Sequence, residues 1–398
     1  MSTPLAEEQA PASANDEFNT ERVMTIAGGH FVHDTYSAFI APLLPLLQGK
    51  LEISYALAGG LSVFTQIPSL LNPFIGYVAD KVSVRYFIIL APGFTATIMS
   101  FMGLIPSYAS LALLLFIAGI SIAAFHAPAP AMISRVSGKR VGTGMSIFMA
   151  SGELGRTVGP IFVAAGVAWF GLEGIWRLSI LGWIASAILY VRLRHIPASG
   201  RPKLDTTLAR ELLPKAGRFF GVLAWLMVAR QFMIVALTTF LPIFMTDVYD
   251  ADLWLSAQSL TILEGAGVVG ALFSGTLSDR IGRKRMLSIL LFIAPFLMLL
   301  FLYAGSRATV ILALILLGFT AISVTPVLLA TVQDQFPNNG ALANGTFMAL
   351  NFLIRASAIW IVGLLADQIG LFTVFLGGAI FAWLSVPAVW FLPERPAV

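Results

Sequence analysis

Apolar residues run in blocks of about twenty along almost the whole chain, separated by short polar breaks. Blocks of that length cross a hydrocarbon layer of roughly 30 Å as helix. They predict twelve spans at about 23–48, 54–79, 86–105, 109–134, 141–169, 174–194, 219–247, 255–278, 286–305, 308–333, 340–366 and 371–392. The fold class this pattern predicts is an all-α integral membrane protein, twelve transmembrane helices in two six-helix repeats. Residues 1–21 are polar and weakly patterned, without the basic start and apolar stretch of a signal peptide, and are expected to be a disordered cytoplasmic tail. The expected organisation continues with an N-terminal bundle over 22–195, a linker over 196–218 with a short surface helix around Leu204–Leu213, a C-terminal bundle over 219–392 and a tail over 393–398.

A motif repeats inside this pattern. Residues 76–85 read G-Y-V-A-D-K-V-S-V-R and residues 275–285 read G-T-L-S-D-R-I-G-R-K-R, so that Gly76 and Gly275 stand 199 positions apart. The same offset carries Arg156 onto Arg355 and Ala127–Pro128 onto Pro326–Val327. An ungapped correspondence across half the chain implies two equivalent bundles, which is how alternating-access carriers are built. Gly76 and Gly275 allow close helix approach. Asp80 and Asp279 stand at helix–loop junctions, with Lys81, Arg85, Arg280 and Arg283 near enough to pair and Gly282 in the second turn. The set reads either as a conformational latch or as topogenic charge with an Asp cap.

Composition agrees with the membrane reading. Hydrophobic residues make up 58% of the chain and charged ones 11%, with mean hydropathy +0.87, against roughly 25% charged in soluble proteins. The absence of cysteine excludes disulfides and thiolate metal sites, and no metal or cofactor is expected. The basic balance does not point to nucleic acid, because Lys and Arg concentrate in alternate short loops. If the N-terminus is cytoplasmic, the external loops hold only Lys50, Arg177 and Arg307. That asymmetry predicts both termini in the cytoplasm.

Candidate chemistry lies in the polar residues inside the spans: His30, His33, Asp34, His126, Glu153, Arg156, Arg230, Glu264 and Arg355. Each charge at mid-bilayer costs about 2.5–3.5 kcal/mol on insertion scales, so these residues must pair, be neutral or face water. His30 and Asp34 share a helix face, with His33 beside them. This cluster reads as a proton-coupling site or as a polar contact between helices, with Glu153 and Glu264 as further proton candidates. Glu153 and Arg156 are three apart and can pair. Gly155 and Gly159 make a small face, and Pro160 bends the helix. An arginine does not readily deprotonate, so Arg230 and Arg355 are fixed positive sites for an anionic group, or structural partners of Glu264. His126, Arg156 and Tyr36 complete the candidate substrate-binding set.

Six plus six helices, a basic central loop and the repeated G-x-x-x-D-[RK]-x-[GS]-x-[RK] signature resemble the major facilitator superfamily over residues 22–392. The second copy fits that pattern fully; the first carries Ser83 and Val84 where Gly and a basic residue are usual. Three segments bear a narrower resemblance: His30-Phe31-Val32-His33-Asp34-Thr35-Tyr36 followed by Pro42-Leu43-Leu44-Pro45-Leu46-Leu47, then Ala124-Phe125-His126-Ala127-Pro128, then Gly152-Glu153-Leu154-Gly155-Arg156-Thr157-Val158-Gly159-Pro160. They are similar to the fosmidomycin-resistance branch of bacterial drug exporters, and G-x-x-x-G-P resembles an antiporter signature. The resemblance implies a monomeric carrier in the bacterial inner membrane, in which helices one, four, seven and ten line a central cavity flanked by two, five, eight and eleven. All nine intramembrane ionisable residues fall on those eight helices. The implied function is proton-driven antiport exporting small drug-like or anionic compounds. Import of an organic acid is the alternative. A sensor or intramembrane enzyme is the other class, for which the chain offers no H-E-x-x-H, nucleophile elbow or P-loop.

Overall fold

The computed structural model describes residues 17–71, 84–126, 128–138, 141–195, 206–336 and 340–393. Among them there is helix and no strand, because in lipid each backbone N–H and C=O must be satisfied within its own segment. Helix 1 comprises Thr20–Ser37 and Ile40–Leu51, and helix 2 Tyr55–Phe64 with a tighter turn over Ile67–Leu71. Helix 3 is Val84–Ser100, helix 4 Tyr108–His126 with Ala129–Val136, helix 5 Val141–Phe170, and helix 6 Leu172–Leu178 with Ser179–Leu193. Helix 7 runs Thr206–Val235, widens to a π turn over Ala236–Phe240 and ends as Leu241–Asp247. Helix 8 is Leu253–Ile281 and helix 9 Arg283–Leu302. Helix 10 comprises Arg307–Leu317, a π turn Gly318–Ile322 and Val324–Gln335; helix 11 is Gly340–Ile369, and helix 12 Leu371–Ala382 with Ser385–Trp390.

These segments follow the twelve expected spans, with one shift. Helix 7 begins at Thr206, inside the stretch expected to be linker, where Leu208, Ala209, Glu211, Leu212 and Leu213 favour helix. Most of the N-terminal tail, the linker before Thr206 and the last five residues lie outside the described residues. Among those described, nine helices are long and apolar enough to cross a bilayer by length and composition. Helices 1, 2 and 5 are not among the nine. Helix 1 is interrupted after Ser37, the description of helix 2 stops at Leu71, and helix 5 dilutes its hydropathy with Glu153, Arg156 and several glycines.

The internal repeat appears in the packing. Helix 1 lies on helix 5, 2 on 4 and 3 on 6, and six helices later 7 lies on 11, 8 on 10 and 9 on 12. The halves meet through helix 5 against 8, helix 2 against 11, and the second part of helix 1 against the end of helix 7. The apolar cores show where. At the end of the molecule away from Asn19, one core takes in Leu43, Leu61 and Met102 from the first half with Phe240, Phe301 and Phe375 from the second. At the opposite end, which carries the basic turns, each half has its own core. One is built around Phe125, Ile133 and Leu193, the other around Leu226, Leu287 and Val389.

A polar clasp closes the shared end. The Asp367 carboxylate of helix 11 accepts from the backbone N–H of Tyr55 at 2.7 Å and of Ala56 at 3.0 Å, capping the start of helix 2 in the other half. The Tyr55 hydroxyl donates to Asp247 of helix 7 at 2.7 Å. A carboxylate on the first N–H groups of a helix meets both unpaired donors and the positive end of the helix dipole. Hydrogen bonds to charged groups are worth about 1.5–3 kcal/mol each, so Asp367→Ala should open this end at least about tenfold more often. The chain has no cysteine of its own. Ile359→Cys, at a fully buried junction position, should therefore react severalfold faster with an impermeant maleimide when combined with Asp367→Ala. An unchanged rate would show that the apolar core alone holds this end shut.

Candidate functional site

Helix 5 lies directly on helix 1, and its glycines are the reason. A Cβ on Gly155 would stand 2.4 Å from the carbonyl oxygen of Phe31, and one on Gly159 2.6 Å from that of Thr35. The same contact leaves Gly152 against His30 and Asp34. Pro160 lies inside this helix, as expected. In lipid, where apolar side chains gain little by leaving the solvent, such backbone proximity is a main source of helix association.

The approach forms a polar cluster around one carboxylate. Asp34 is 2% exposed. His30 Nε2 lies 3.3 Å from its Oδ2, His126 Nε2 of helix 4 lies 3.2 Å from its Oδ1, and an Arg156 guanidinium nitrogen of helix 5 lies 3.9 Å from Oδ2. Arg156 also pairs with Glu153 on its own helix. The imidazole of His30 is oriented from behind: Nδ1 donates to the Phe148 carbonyl at 2.7 Å, and the ring stacks on the Phe148 ring at 3.9 Å. Since a carbonyl only accepts, a neutral His30 presents the Nε2 lone pair to an Asp34 oxygen. Two acceptors then face each other at 3.3 Å, and one added proton turns that repulsion into a charge-assisted hydrogen bond.

The expected group of His30, His33 and Asp34 is therefore rearranged. His33 is fully buried and stacks on Phe125 at 4.3 Å. His126, expected with the substrate, takes the second place at the carboxylate. Tyr36 is likewise set apart: it is 1% exposed and its hydroxyl donates to the Leu178 carbonyl at 2.5 Å, within the packing of helices 1 and 6. The cluster's outer members open to solvent space, with the side chains of His126, Glu153 and Arg156 between about a third and a half exposed.

The second half contributes cations. Arg230 of helix 7 is 4% exposed and donates to the Ala321 carbonyl at 3.3 Å and to Thr325 Oγ1 at 3.2 Å on helix 10, while its Nε has no partner among the described residues. Arg355 of helix 11 donates to Thr238 Oγ1 of helix 7 at 3.3 Å. Neither arginine forms an ion pair within 4 Å of Glu264 among the described residues, so the structural bridge weighed from the sequence is not made. Glu264, on helix 8, instead lies within electrostatic reach of Arg156, Glu153 and Arg355. The charges thus form a chain across both halves, from Asp34 through Arg156 and Glu264 to Arg355 and Arg230. Thr238, Thr325 and the Phe148 carbonyl were not singled out from the sequence, where threonines and backbone carbonyls carry no distinguishing signal.

His30, Asp34 and His126 also offer ligand atoms within 4.8 Å of one another, a donor set that suits a transition metal by type. The fixed charge of Arg156 beside the same carboxylate opposes a dication there and favours a proton.

Of the first motif copy, Gly76, Asp80 and Lys81 lie outside the described residues; Arg85, its last residue, lies in the first turn of helix 3. The second copy is an ion-pair knot. Asp279 Oδ1 lies 2.6 Å from an Arg283 guanidinium nitrogen, and Arg283 Nε donates to Asp334 of helix 10 at 3.0 Å and also reaches Ser278. Gly282 turns the chain between helices 8 and 9 at φ +95°, a conformation L side chains rarely adopt. Arg280 is exposed, and Gly275 lies in helix 8. All of these partners belong to the second half.

The Major Facilitator Superfamily model matches residues 26–358 and 266–398. The chain belongs to the major facilitator superfamily. It is 24% identical over 382 residues to the fosmidomycin resistance protein of Escherichia coli strain K12, covering 93% of this chain and 92% of that one. It is 23% identical over 371 residues to the MFS-type transporter YfnC of Bacillus subtilis strain 168, covering 90% of each. Among solved structures, a D-xylose–proton symporter superposes with a TM-score of 0.75 at 16% identity, over 94% of this chain and 97% of the other. A bacterial homologue of the lysosomal transporter Spinster, in an inward-facing and occupied conformation, gives 0.74 at 15% identity over 94% of each. This superfamily member is a multi-pass membrane transporter of small molecules.

Gly155→Ala tests the packing that builds the cluster. The added methyl meets backbone, which cannot swing aside, so helix 5 must move off helix 1. The variant should lose about 1–3 kcal/mol of stability, read as a lower midpoint of thermal unfolding in detergent. Gly28→Ala, where a Cβ meets nothing within 4 Å, should leave the midpoint nearly unchanged. Equal midpoints for both would remove the close contact from the account.

Proposed function

We propose that this superfamily member is a proton-coupled antiporter that exports small drug-like or anionic compounds by alternating access, as a monomer in the bacterial inner membrane. The observation that carries the reading is the 3.3 Å approach of His30 Nε2 to Asp34 Oδ2, nearly closed to solvent, with His30 Nδ1 held by the Phe148 carbonyl. A buried carboxylate between two imidazoles and an arginine gains or loses a proton according to whether the neighbouring positive charge is present. An anionic substrate group drawn to Arg156, or a proton from one side, changes that balance. The concentration of Lys and Arg in alternate turns supports a cytoplasmic position for both termini. The Asp367 clasp and the shared apolar core then close the periplasmic side, and the conformation is inward-facing. Glu153 and Glu264 are the second-rank proton sites. Arg156, Arg230 and Arg355, with His126, are the residues for an anionic group. Asp279 and Arg283, with Asp80, Lys81 and Arg85 in the first copy, act as the cytoplasmic latch.

The resemblance to a fosmidomycin resistance protein supports export over uptake, and the charge chain supports coupling. In proteoliposomes, Asp34→Asn should abolish transport driven by a proton gradient while preserving substrate exchange without one. Normal proton movement on substrate addition in Asp34→Asn would sink the assignment and move the site to Glu264 or Glu153.

Anion recognition is tested in the other half. Arg230→Ala or Arg355→Ala should weaken binding of anionic compounds roughly ten- to a hundredfold and that of neutral ones much less, from the loss of a charged hydrogen bond. Arg→Lys should restore only part, since a planar fork holds an oxyanion better than a point charge. Equal losses for neutral and anionic compounds, with membrane yield maintained, would make these arginines packing groups for Thr325 and Thr238.

A further inference from the structure

The two buried arginines of the second half are tied to places where its helices depart from α geometry. Helix 7 carries a π turn at Ala236–Phe240 and helix 10 one at Gly318–Ile322. Arg355 of helix 11 donates to Thr238 Oγ1 inside the first turn, and Arg230 of helix 7 donates to the Ala321 carbonyl inside the second. We propose, on the reading that Arg230 and Arg355 recognise anions, that these bonds hold the two π turns while the anion site is empty. An anionic compound draws the arginines away and frees helices 7 and 10 to re-register and bend.

A π turn bonds residue i to i+5, so carbonyls beside it fall out of line with the N–H groups an α-helix supplies. A carbonyl left without a donor in lipid is expensive. Side chains meet that need at both turns. In helix 7 the Thr238 hydroxyl donates to the Ile234 carbonyl at 2.8 Å. In helix 10 Thr320 donates to the Leu316 carbonyl at 2.7 Å and Ser323 to the Phe319 carbonyl at 2.5 Å, while Ser274 of helix 8 donates to the Ser323 carbonyl at 3.2 Å. Arg230 adds its bond at Ala321. The arginines are the long and charged members of this set, able to swing to another acceptor. Their present acceptors are neutral and stand at 3.2–3.3 Å, whereas a hydrogen bond to an oxyanion is roughly twice as strong. Arg230 and Arg355 also lie within electrostatic reach of each other, so a negative charge between them relieves their repulsion.

Both turns are seated where a bend is felt elsewhere. The Phe240 ring, from the helix 7 turn, lies against Gly59 of helix 2 in the other half, where a Cβ would stand 2.6 Å from it. The helix 10 turn rests on helix 8 so closely that a Cβ on Gly318 would run into the Leu263 carbonyl, next to Glu264. Helix 8 in turn lies on helix 5, which carries Arg156. Release of the first turn loosens the junction between halves. Release of the second moves backbone beside the charge chain.

The test is hydrogen exchange of the purified full chain in detergent, read by mass spectrometry on peptides covering 236–240 and 318–322. Benzoate serves as the anion and benzamide as its neutral counterpart. Saturating benzoate should speed exchange at both turns about three- to tenfold, the opening that goes with one lost hydrogen bond, and benzamide should not. Without ligand, Arg355→Ala should produce that increase at 236–240, and Arg230→Ala at 318–322. Thr238→Val removes the competing acceptor while keeping the side chain's shape. It should tighten benzoate binding by about the same three- to tenfold factor, where a merely structural threonine would leave binding unchanged or weaker. Benzoate binding that is absent, or unchanged in both arginine variants, strikes the anion reading and this proposal with it. Binding that those variants lose, with exchange at both turns indifferent to benzoate or with no gain in Thr238→Val, overturns this proposal alone. Should an arginine variant fail to fold, the wild type and Thr238→Val carry the same decision.

Discussion

The arrangement of the first half depends on keeping one carboxylate inside a membrane. Asp34 is nearly closed to solvent, and an isolated charge at that depth is expensive. Each neighbouring element contributes to lowering that cost. Helix 1 supplies His30 one turn before it, helix 4 ends its first segment at His126, and helix 5 presents Arg156. The glycines of helix 5 allow this, because only a bare backbone lets the arginine and the carbonyl of Phe148 come this near. The polar cluster and the close helix contact are therefore one feature. A larger residue at 155 would separate the charges as well as the helices.

The second organising fact is the unequal distribution of apolar packing. One core spans both halves at the clasped end, while two separate cores serve the end with the basic turns. Apolar side chains have little reason to leave lipid for protein, so the join between halves must be made by close packing and by hydrogen bonds. The clasp supplies the latter with a carboxylate on the start of another helix. Such a bond is strong when made and easily replaced by water when broken. That combination suits the alternating access proposed above, in which such a contact forms and releases. The ion-pair knot at Arg283 differs in kind, since its described partners all lie within one half and it stiffens the helix 8–9 turn against helix 10.

Charges on the outer surface follow another logic. Three adjacent cations at the start of helix 9 point in different directions around the helix, since successive residues are about 100° apart. Arg283 meets internal acids, Lys284 reaches the Trp390 carbonyl and Arg285 is exposed. The topological signal read from the sequence thus mixes groups with different partners, and only their positions around the helix separate them.

Much of the architecture was legible in the chain because lipid imposes a simple rule. Helix length and apolarity must match the bilayer, so, apart from the early start of helix 7, the described span ends emerged within a few residues, and an offset of 199 positions disclosed the repeat that the helix pairing then displayed. The nine intramembrane ionisable residues were legible for the same reason, being costly wherever they are placed. What hydropathy could not carry was direction around and between helices. It grouped His33 with Asp34, but His33 lies flat against Phe125 and His126 arrives from another helix. It offered Arg230 a bridge to Glu264, but the guanidinium reaches Thr325 and a carbonyl. It gave no weight to Asp367 or Tyr55, since acids and tyrosines near span ends are ordinary. The sequence alone determined which segments enter the membrane and which residues must find partners there. The tertiary structure decided which partners they find, because hydrogen bonds and ion pairs depend on distances of a few ångströms between helices that a one-dimensional pattern does not encode.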